Sequence, residues 1–327
     1  MKKKITVLTF CVMVFALCSS THAQQTGKIF RIGILDSSTA SGSAILWEAF
    51  RQELSKLGWI EGKNITIEYR FAEQKPDRLP ELAADLVHKA ELIMVPGNIP
   101  ALAAKKATST IPIVMANGDP VGVGLATSLA RPGSNVTGLA SLGVELNTKR
   151  LEILMDGVPK LARVGLLRLP GSILGQDVQL KDLRAAALAL TLKLEEIETQ
   201  PEAKGLESAF QTAKQMRVDA IMTTVTRQFF AERKRIVELA AKYRLPAIYF
   251  QKEFVDEGGL MSYGADYVDL YRRAAGYVDK ILKGAKPADL PVQQATKFEF
   301  IINLKAAKQI DLTIPGRVLE RANQVIK

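Results

Sequence analysis

Phe30-Arg-Ile-Gly-Ile-Leu-Asp-Ser-Ser38 is a short apolar run that ends in one acidic and two hydroxyl side chains. This pattern is typical of a buried strand whose carboxyl end opens into a polar loop. Apolar residues then recur at helical spacing over residues 43–57, and Gly58 ends that segment. A buried strand that is followed by an amphipathic helix predicts the first part of a βαβ unit, and therefore an α/β fold with a parallel sheet.

The same alternation of strands and helices runs along the rest of the chain in two series. The first series ends near residue 115, and the pattern restarts with a helix over 146–155. Two series of this kind predict two Rossmann-like lobes, each with a parallel sheet. Near the end of the chain, the pattern predicts a long helix over 227–243, a final strand over 298–302 and a closing helix over 317–325.

The N-terminus has the three parts of a secretory signal peptide. Lysines over 2–4 precede an apolar run over 5–17, and a short segment of small and polar residues ends at Ala23. We therefore predict that residues 1–23 are a signal peptide, cut after Ala23, and that the protein is periplasmic. The apolar run is shorter than a membrane-spanning helix. Two alternatives stay open, namely a retained N-terminal anchor and a lipoprotein modified at Cys18.

Removal of this segment changes the chemical inventory of the chain. Cys11, Cys18 and His22 leave with it, so the remaining chain has no thiol and retains His88 as its one histidine. The formal charge falls from +10 to +7, because three lysines and no acidic residue are removed. The remaining Lys and Arg residues are scattered along amphipathic helices, which favours a solvated surface over a nucleic-acid partner.

Catalysis, cofactors and metals have little support in this inventory. The usual nucleophile–base pairs and clustered metal ligands are missing, and we expect His88 to lie on the surface. The turn over 36–43 has one glycine and no lysine, so it fits neither a Walker loop nor a dinucleotide-binding turn. We therefore predict a protein without enzymatic activity, cofactor or metal. An exported hydrolase that uses two carboxylates stays open, because Asp and Glu are plentiful.

Polar and aromatic residues recur at the carboxyl ends of the predicted strands, which is where parallel α/β sheets bind ligands. Hydroxyls and free N–H groups at helix starts suit a carboxylate, Asp119 suits an ammonium group, and a tyrosine face suits an aromatic side chain. Ser or Asp before a helix is also an ordinary N-cap, and this explanation stays open for each residue taken alone. The candidate ligand-binding residues are Ser37, Ser38, Gly97, Asn98, Gly118, Asp119, Thr224, Thr226, Tyr249, Tyr263 and Gly264.

Six longer runs resemble those of a known family. They are Asp119-Pro-Val-Gly-Val-Gly124, Leu129-Ala-Arg-Pro-Gly-Ser-Asn-Val-Thr-Gly138, Gly258-Gly-Leu-Met-Ser-Tyr-Gly264, Leu270-Tyr-Arg-Arg-Ala-Ala-Gly276, Lys283-Gly-Ala-Lys-Pro-Ala-Asp-Leu-Pro-Val292 and Lys297-Phe-Glu-Phe-Ile-Ile-Asn-Leu-Lys305. On these runs the chain is similar to ABC-transporter substrate-binding proteins of the tryptophan/tyrosine type, which have the type I periplasmic-binding fold. The similarity extends over essentially the whole mature chain.

The resemblance implies a monomeric receptor whose two lobes, joined by a three-strand hinge, close on one solute and deliver it to ABC permease subunits. Residues 28–138 and about 263–291 would form lobe one, and residues 139–262 and about 292–327 lobe two. The solute would be an amino acid, aromatic in the family members whose ligands are known. Thr224-Val-Thr226 stands where the family has Ser-Asp-Pro, so the solute's identity stays open. A ligand-sensing domain with the same fold is the second alternative.

Overall fold

Two sheets with accompanying helices form the protein in the computed structural model, which describes residues 28–143, 145–171 and 176–327. The predicted signal peptide and its cleavage site lie outside the described residues. Within the part described, no helix combines the length and the apolar character needed to span a bilayer. The two sheets and their helices confirm the α/β fold with two parallel-sheet lobes that the sequence predicts.

The first sheet takes its strands mainly from the N-terminal part of the chain. The described strands are β1 (Phe30–Asp36), β2 (Ile65–Phe71), β3 (Leu92–Val95), β4 (Ile113–Met115), β5 (Val136–Ala140) and β11 (Gln293–Gln294). They pair in parallel in the order β11–β5–β4–β3–β1–β2. Its helices are α1 (Ala40–Lys56), α2 (Leu79–Val87), α3 (Asn98–Ala107) and α10 (Tyr267–Leu282). The α1 and α10 helices pack together, with the ring centroids of Trp47 and Tyr271 5.0 Å apart.

The second sheet is parallel except at one pair. Its described strands are β6 (Arg163–Arg168), β7 (Lys193–Glu198), β8 (Ala220–Thr223), β9 (Ala247–Tyr249), β10 (Met261–Ala265), β12 (Phe298–Asn303) and β13 (Gln324–Ile326). They lie in the order β13–β12–β10–β9–β8–β6–β7, and β12 runs antiparallel to β10. This reversal arises because β12 enters the sheet from the first lobe. The accompanying helices are α4 (Leu146–Gly157), α5 (Gln176–Ala189), α6 (Ala203–Gln215), α7 (Arg227–Ala231), α8 (Arg233–Lys242), α9 (Glu253–Asp256), α11 (Leu304–Gln309) and α12 (Gly316–Leu319).

Two helices predicted from the sequence differ from those in the structure. The helix predicted over 227–243 is divided at Glu232 into α7 and α8, and the Glu232 carboxylate accepts a hydrogen bond from Gln74 Nε2 of the first lobe at 2.8 Å. The closing helix predicted over 317–325 is replaced by the four-residue α12 and by β13. The reason is that the backbone groups of Gln324–Ile326 pair with the exposed edge of β12, which would otherwise lack partners.

The chain passes between the two sheets three times in the described part. It leaves the first sheet after β5, returns to it after β10, and leaves it again after β11. Three crossings agree with the three-strand joint that the family resemblance implies. The loops that follow β1, β3 and β4 of the first sheet meet the loops that follow β8 and β9 of the second sheet at this joint.

Candidate ligand-binding site

A cavity lies at the junction of the two lobes, where the loops after the strands meet. Its empty volume, which includes the solvent space at its open mouth, is about 830 Å³. Both lobes and the segments that cross between them contribute to its lining. Six of the eleven residues predicted from the sequence lie on its wall, namely Ser37, Gly97, Asn98, Gly118, Asp119 and Thr226.

Asn98 ties together the two first-lobe loops that form this wall. Its Oδ1 accepts a hydrogen bond from the Asp119 N–H at 2.8 Å. Gly118 has a φ of +126°, and a Cβ at this position would lie 2.5 Å from Asn98 Oδ1, so both the backbone and the contact require glycine. Asp119 Oδ1 in turn accepts a hydrogen bond from the Gly122 N–H at 2.9 Å. These two side chains therefore fix the shape of the first-lobe wall.

Gln179 of α5 holds the second-lobe loop that follows β8. Its Oε1 accepts a hydrogen bond from the Val225 N–H at 2.9 Å, and its Nε2 donates to the Val225 carbonyl at 3.3 Å. The next residue, Thr226, caps α7, because its Oγ1 accepts a hydrogen bond from the Phe229 N–H at 3.2 Å. The N-cap role that the sequence left open for Thr226 is therefore present, and it holds the residue at the cavity wall.

Four side chains on the wall carry buried nitrogen donors that have no hydrogen-bond partner among the described residues. These atoms are Asn117 Nδ2, Gln228 Nε2, Gln251 Nε2, and Nε and Nη1 of Arg227. Buried donors are nearly always paired in proteins, and leaving one unpaired costs about 1–3 kcal/mol. A bound group that is rich in acceptor atoms, such as a carboxylate, would satisfy several of them at once.

Apolar side chains form another part of the same wall. Ile99 and Pro100 come from the start of α3, Val225 and Phe250 follow strands of the second sheet, and Tyr267 begins α10. Burial raises the pKa of the Tyr267 hydroxyl, so this group stays neutral and can act as a donor. The cavity thus combines a surface suited to an apolar or aromatic group with a set of donors suited to an anion.

A buried carboxylate beneath the cavity links the two lobes. Asp36 is fully buried, and its Oδ2 accepts a hydrogen bond from Trp47 Nε1 at 2.9 Å. Arg227 of the second lobe places Nη2 3.7 Å from the same oxygen and donates to Ser43 Oγ at 2.8 Å. Burial lowers the pKa of Arg227, but neighbouring oxygens, first Tyr271 and then Asp36, raise this pKa overall, so the guanidinium stays charged.

The remaining five predicted residues lie outside the lining; they are Ser38, Thr224, Tyr249, Tyr263 and Gly264. The Tyr249 ring is buried and stacks on Phe254, with centroids 4.6 Å apart. The Tyr263 ring meets Phe300 edge-on at 6.3 Å. Both tyrosines are still inside their strands, so their rings pack against neighbouring side chains of the second lobe.

The other three residues of this group support the fold by backbone contacts. The Ser38 N–H donates to Asp36 Oδ1 at 2.9 Å, and the Thr224 N–H donates to the Leu167 carbonyl at 2.9 Å. A Cβ at Gly264 would lie 2.0 Å from the Phe250 carbonyl oxygen, so β10 passes close to the loop after β9 at this point. That close approach positions Phe250 and the following residue at the cavity wall.

Sequence reasoning missed several residues of the wall. Arg227 and Gln228 occupy the first turn of α7, and Glu145 lies at the first crossing between the lobes. One signal was available, since the first helical turn after a strand end reaches the same edge of the sheet as the loop itself. Gln179, in contrast, stands inside a helix far along the chain and has no local signal.

Comparisons with known proteins bear on this site. The sequence model of the family described as "ABC transporter substrate binding protein" matches residues 41–326. The "Tyrosine-binding protein" of Clostridioides difficile (strain R20291) is 27% identical over 273 residues, which is 81% of this chain and 76% of that protein. The family match includes every described strand from β2 onward.

Two solved structures are similar over most of the chain. The first is a conserved domain protein from Vibrio cholerae O1 biovar eltor str. N16961, with a TM-score of 0.83 and 27% identity. The second is the ABC domain from Streptococcus pneumonia in complex with L-Trp, with a TM-score of 0.80 and 25% identity. In each case the match covers 91% of this chain and 100% of the other.

Proposed function

This chain belongs to the family of ABC transporter substrate binding proteins, and from that premise we propose that its cavity captures an amino acid with an aromatic side chain. The family consists of solute-binding proteins rather than enzymes, and its members that serve importers act outside the cytoplasm. The protein is thus the solute-binding component of an ABC transporter. The proposal concerns the class of solute and the residues that hold it.

The main support for the proposal is that one cavity contains both hydrogen-bond donors without partners and an apolar surface. An amino acid presents a carboxylate with acceptor oxygens, and the donors of Gln228, Gln251 and Asn117 match such a group. Its side chain would lie against the apolar wall that contains Ile99 and Phe250. A sugar would instead need donors and acceptors spread over the whole wall, which the apolar part does not offer.

Two relatives support an aromatic side chain. The C. difficile protein is named for binding tyrosine, and the S. pneumonia structure holds L-Trp. Of the sequence's six candidates on the wall, we retain four as ligand contacts, with Asp119 facing the solute's ammonium group; they are Ser37, Gly97, Gly118 and Asp119. Because Asn98 and Thr226 already hold backbone N–H groups, we assign them the role of shaping the cavity.

We further propose that the chain is exported by the signal peptide predicted over 1–23 and works in the periplasm. There it would act as a monomer without cofactor or metal, deliver its solute to the permease subunits and bind no nucleic acid. In the described part of the chain no group of three or more His, Cys, Asp or Glu residues could hold a metal ion.

A ligand panel on the mature chain over 24–327 tests the proposal. We expect L-tyrosine, L-tryptophan or L-phenylalanine, at about one hundred times its dissociation constant, to raise the melting temperature by about 4 °C. L-alanine and 3-phenylpropionate serve as matched controls, because each lacks one part of the recognised group. The proposal is wrong if calorimetry detects no binding of any aromatic amino acid, or if L-alanine binds as tightly as the best of them.

A further inference from the structure

Arg227 occupies the first position of α7, at the boundary between the cavity and the contact of the two lobes. We propose that this residue binds the solute's carboxylate and couples that contact to closure of the lobes. The inference rests on the proposed function, since it concerns the same cavity. Beyond the proposed function, it assigns to Arg227 a role in determining specificity, and sequence reasoning did not single out this residue.

Arg227 belongs to the second lobe and is held by the first. Its Nη2 donates to Ser43 Oγ of α1 at 2.8 Å and lies 3.7 Å from Asp36 Oδ2 at the end of β1. The two lobes also come close together nearby, since a Cβ on Gly42 would lie 2.7 Å from the Ala231 Cβ. These contacts join the lobes, so they exist only when the lobes are together.

The hydrogen bonding of the Arg227 guanidinium is incomplete. Nε and Nη1 of Arg227 are buried and have no acceptor in the part of the chain that the structure describes. Its side chain is 10% exposed, and the Asp36 oxygen at 3.7 Å is beyond hydrogen-bonding distance. A buried cation in this state is costly unless another anionic group completes its surroundings.

A guanidinium presents its donors in a planar fork that fits a carboxylate better than any single point charge does. Gln228 and Gln251 offer further unpartnered donors on the same wall, so the carboxylate would meet neutral donors and one cation together. Nη2 is held by the first lobe, and Nε and Nη1 point to different sides of the guanidinium, so one of these two nitrogens would donate to the solute's carboxylate. Arg227 would thereby make the solute part of the contact between the lobes.

Coupling to closure follows from these contacts. When the lobes separate, Arg227 loses Ser43 and Asp36, and its charge turns towards solvent. A solute carboxylate offsets the cost of burying the guanidinium, and it does so only in the closed arrangement. A ligand shifts a conformational equilibrium by its differential affinity for the two states, and this carboxylate provides such a difference.

Arg233 is a matched control in the same region. Its guanidinium carbon lies 4.9 Å from the Phe230 ring centroid, and that of Arg227 lies 4.7 Å from the same centroid on the cavity side. Arg233 also reaches the first lobe, because its Nη1 donates to the Gly42 carbonyl at 3.2 Å. However, it pairs with Glu257 at 3.3 Å and lies outside the cavity lining. Its loss should affect closure without affecting carboxylate recognition.

The experiment compares dissociation constants of L-tyrosine and L-tyrosinamide, with L-tryptophan and L-tryptophanamide as a second pair, by calorimetry. The wild-type chain should bind the acid roughly 10- to 150-fold more tightly than the amide, the range of a charge-assisted hydrogen bond. In Arg227→Gln this ratio should fall to about 1. In Arg233→Gln both affinities should weaken together, and the ratio should stay at the wild-type value.

A second variant is included in case Arg227→Gln does not fold. Arg227→Gln alone leaves the Asp36 carboxylate buried without its cation, so the double variant Asp36→Asn/Arg227→Gln removes both charges together. We expect the ratio of acid affinity to amide affinity to fall to about 1 in this double variant as well. Melting curves without solute show which of the two variants is folded, and the dissociation constants of acid and amide are compared in that variant.

The outcomes separate this inference from the proposed function. Wild-type binding of an aromatic amino acid, with an unchanged ratio in the Arg227 variants, overturns the inference and leaves the proposed function standing. An equal fall of the ratio in Arg233→Gln also overturns it, because closure alone would then explain the effect. If the wild-type chain binds neither acid nor amide of either pair, the proposed function fails and this inference fails with it.

Discussion

Glu253 shows how burial near the cavity changes the chemistry of a single residue. It begins α9, its side chain is buried, and its Oε1 has no hydrogen-bond partner within the described ranges. Burial raises the pKa of this carboxyl to about 7. Between its ordinary pKa and this value, the folded chain holds a proton that the unfolded chain releases. Stability should therefore fall as the pH rises from about 4.5 to about 7, and stay at the lower value above that.

Replacing Glu253→Gln should remove this dependence on pH. We expect the free energy of unfolding at pH 8 to rise by at most about 3 kcal/mol, with little change at pH 4.5, where Glu253 is protonated in the folded chain. Urea unfolding at pH 4.5, 6 and 8 measures the effect. Glu238→Gln, on the exposed face of α8, is the control. An undiminished pH slope in the Glu253 variant would contradict the assignment.

Secondary-structure elements were predictable where their signals are local. The apolar runs of β1 and β3 come directly from the sequence, because a strand that is buried on both faces is a short continuous apolar run. The helical spacing of α1 is also visible, because a helix with one buried face repeats every 3.6 residues. The break at Glu232 has no local signal in the sequence, and the side chain that contacts Glu232 there, Gln74, comes from the other lobe. In the same way, β13 depends on the edge of β12, which lies far away in the sequence.

The contact between α1 and α7 can be tested by a substitution that keeps the two helices apart. Gly42→Ala would place a Cβ 2.7 Å from the Ala231 Cβ and so oppose the approach of the two helices. Overpacking of this kind costs about 1–3 kcal/mol, and since it acts on the closed state, we expect every solute to bind roughly 10-fold more weakly. Calorimetry with L-tyrosine and its amide measures this loss.

Reciprocal replacement supplies the control for that contact. Ala231→Gly in the Gly42→Ala background removes the opposing methyl group and should recover most of the affinity. Ala231→Gly alone should have a small effect, because it creates space without a new contact. Loss of affinity for the acid but not for the amide in Gly42→Ala would show that the contact acts on recognition and would contradict its assignment to closure.

The two-lobed architecture as a whole was predictable, and the site within it was predictable in part. Two series of strands and helices indicate two lobes, and the carboxyl ends of parallel strands indicate where a ligand binds. The choice between Tyr249, which is buried in its strand, and Gln251, which reaches the cavity, depends on where β9 ends within the packed lobe. Arg227 and Gln179, which are 48 residues apart in the chain, come to the same cavity wall only when the second lobe has folded.

Closure of the two lobes can be followed in solution by small-angle scattering. A chain of about 300 residues packed as one body has a radius of gyration of about 19 Å. Contacts of Arg227, Arg233 and Gln74 cross the joint in this structure, and the proposed solute would add further contacts there, so we expect the solute-free mature chain to have a larger radius than this. Saturating aromatic amino acid should shift the radius towards the closed value, because the solute adds contacts that only this state provides.

Gly42→Ala is the informative comparison for this measurement. If the lobes close as rigid bodies about the three crossings, this variant should keep the larger radius at solute concentrations that close the wild-type chain, and should need roughly 10-fold more solute to reach the closed value. Scattering profiles that are identical with and without saturating solute in the wild-type chain would contradict closure. The forward scattering of the same samples also gives the molecular mass, and so tests whether the mature chain is the monomer that its family resemblance implies.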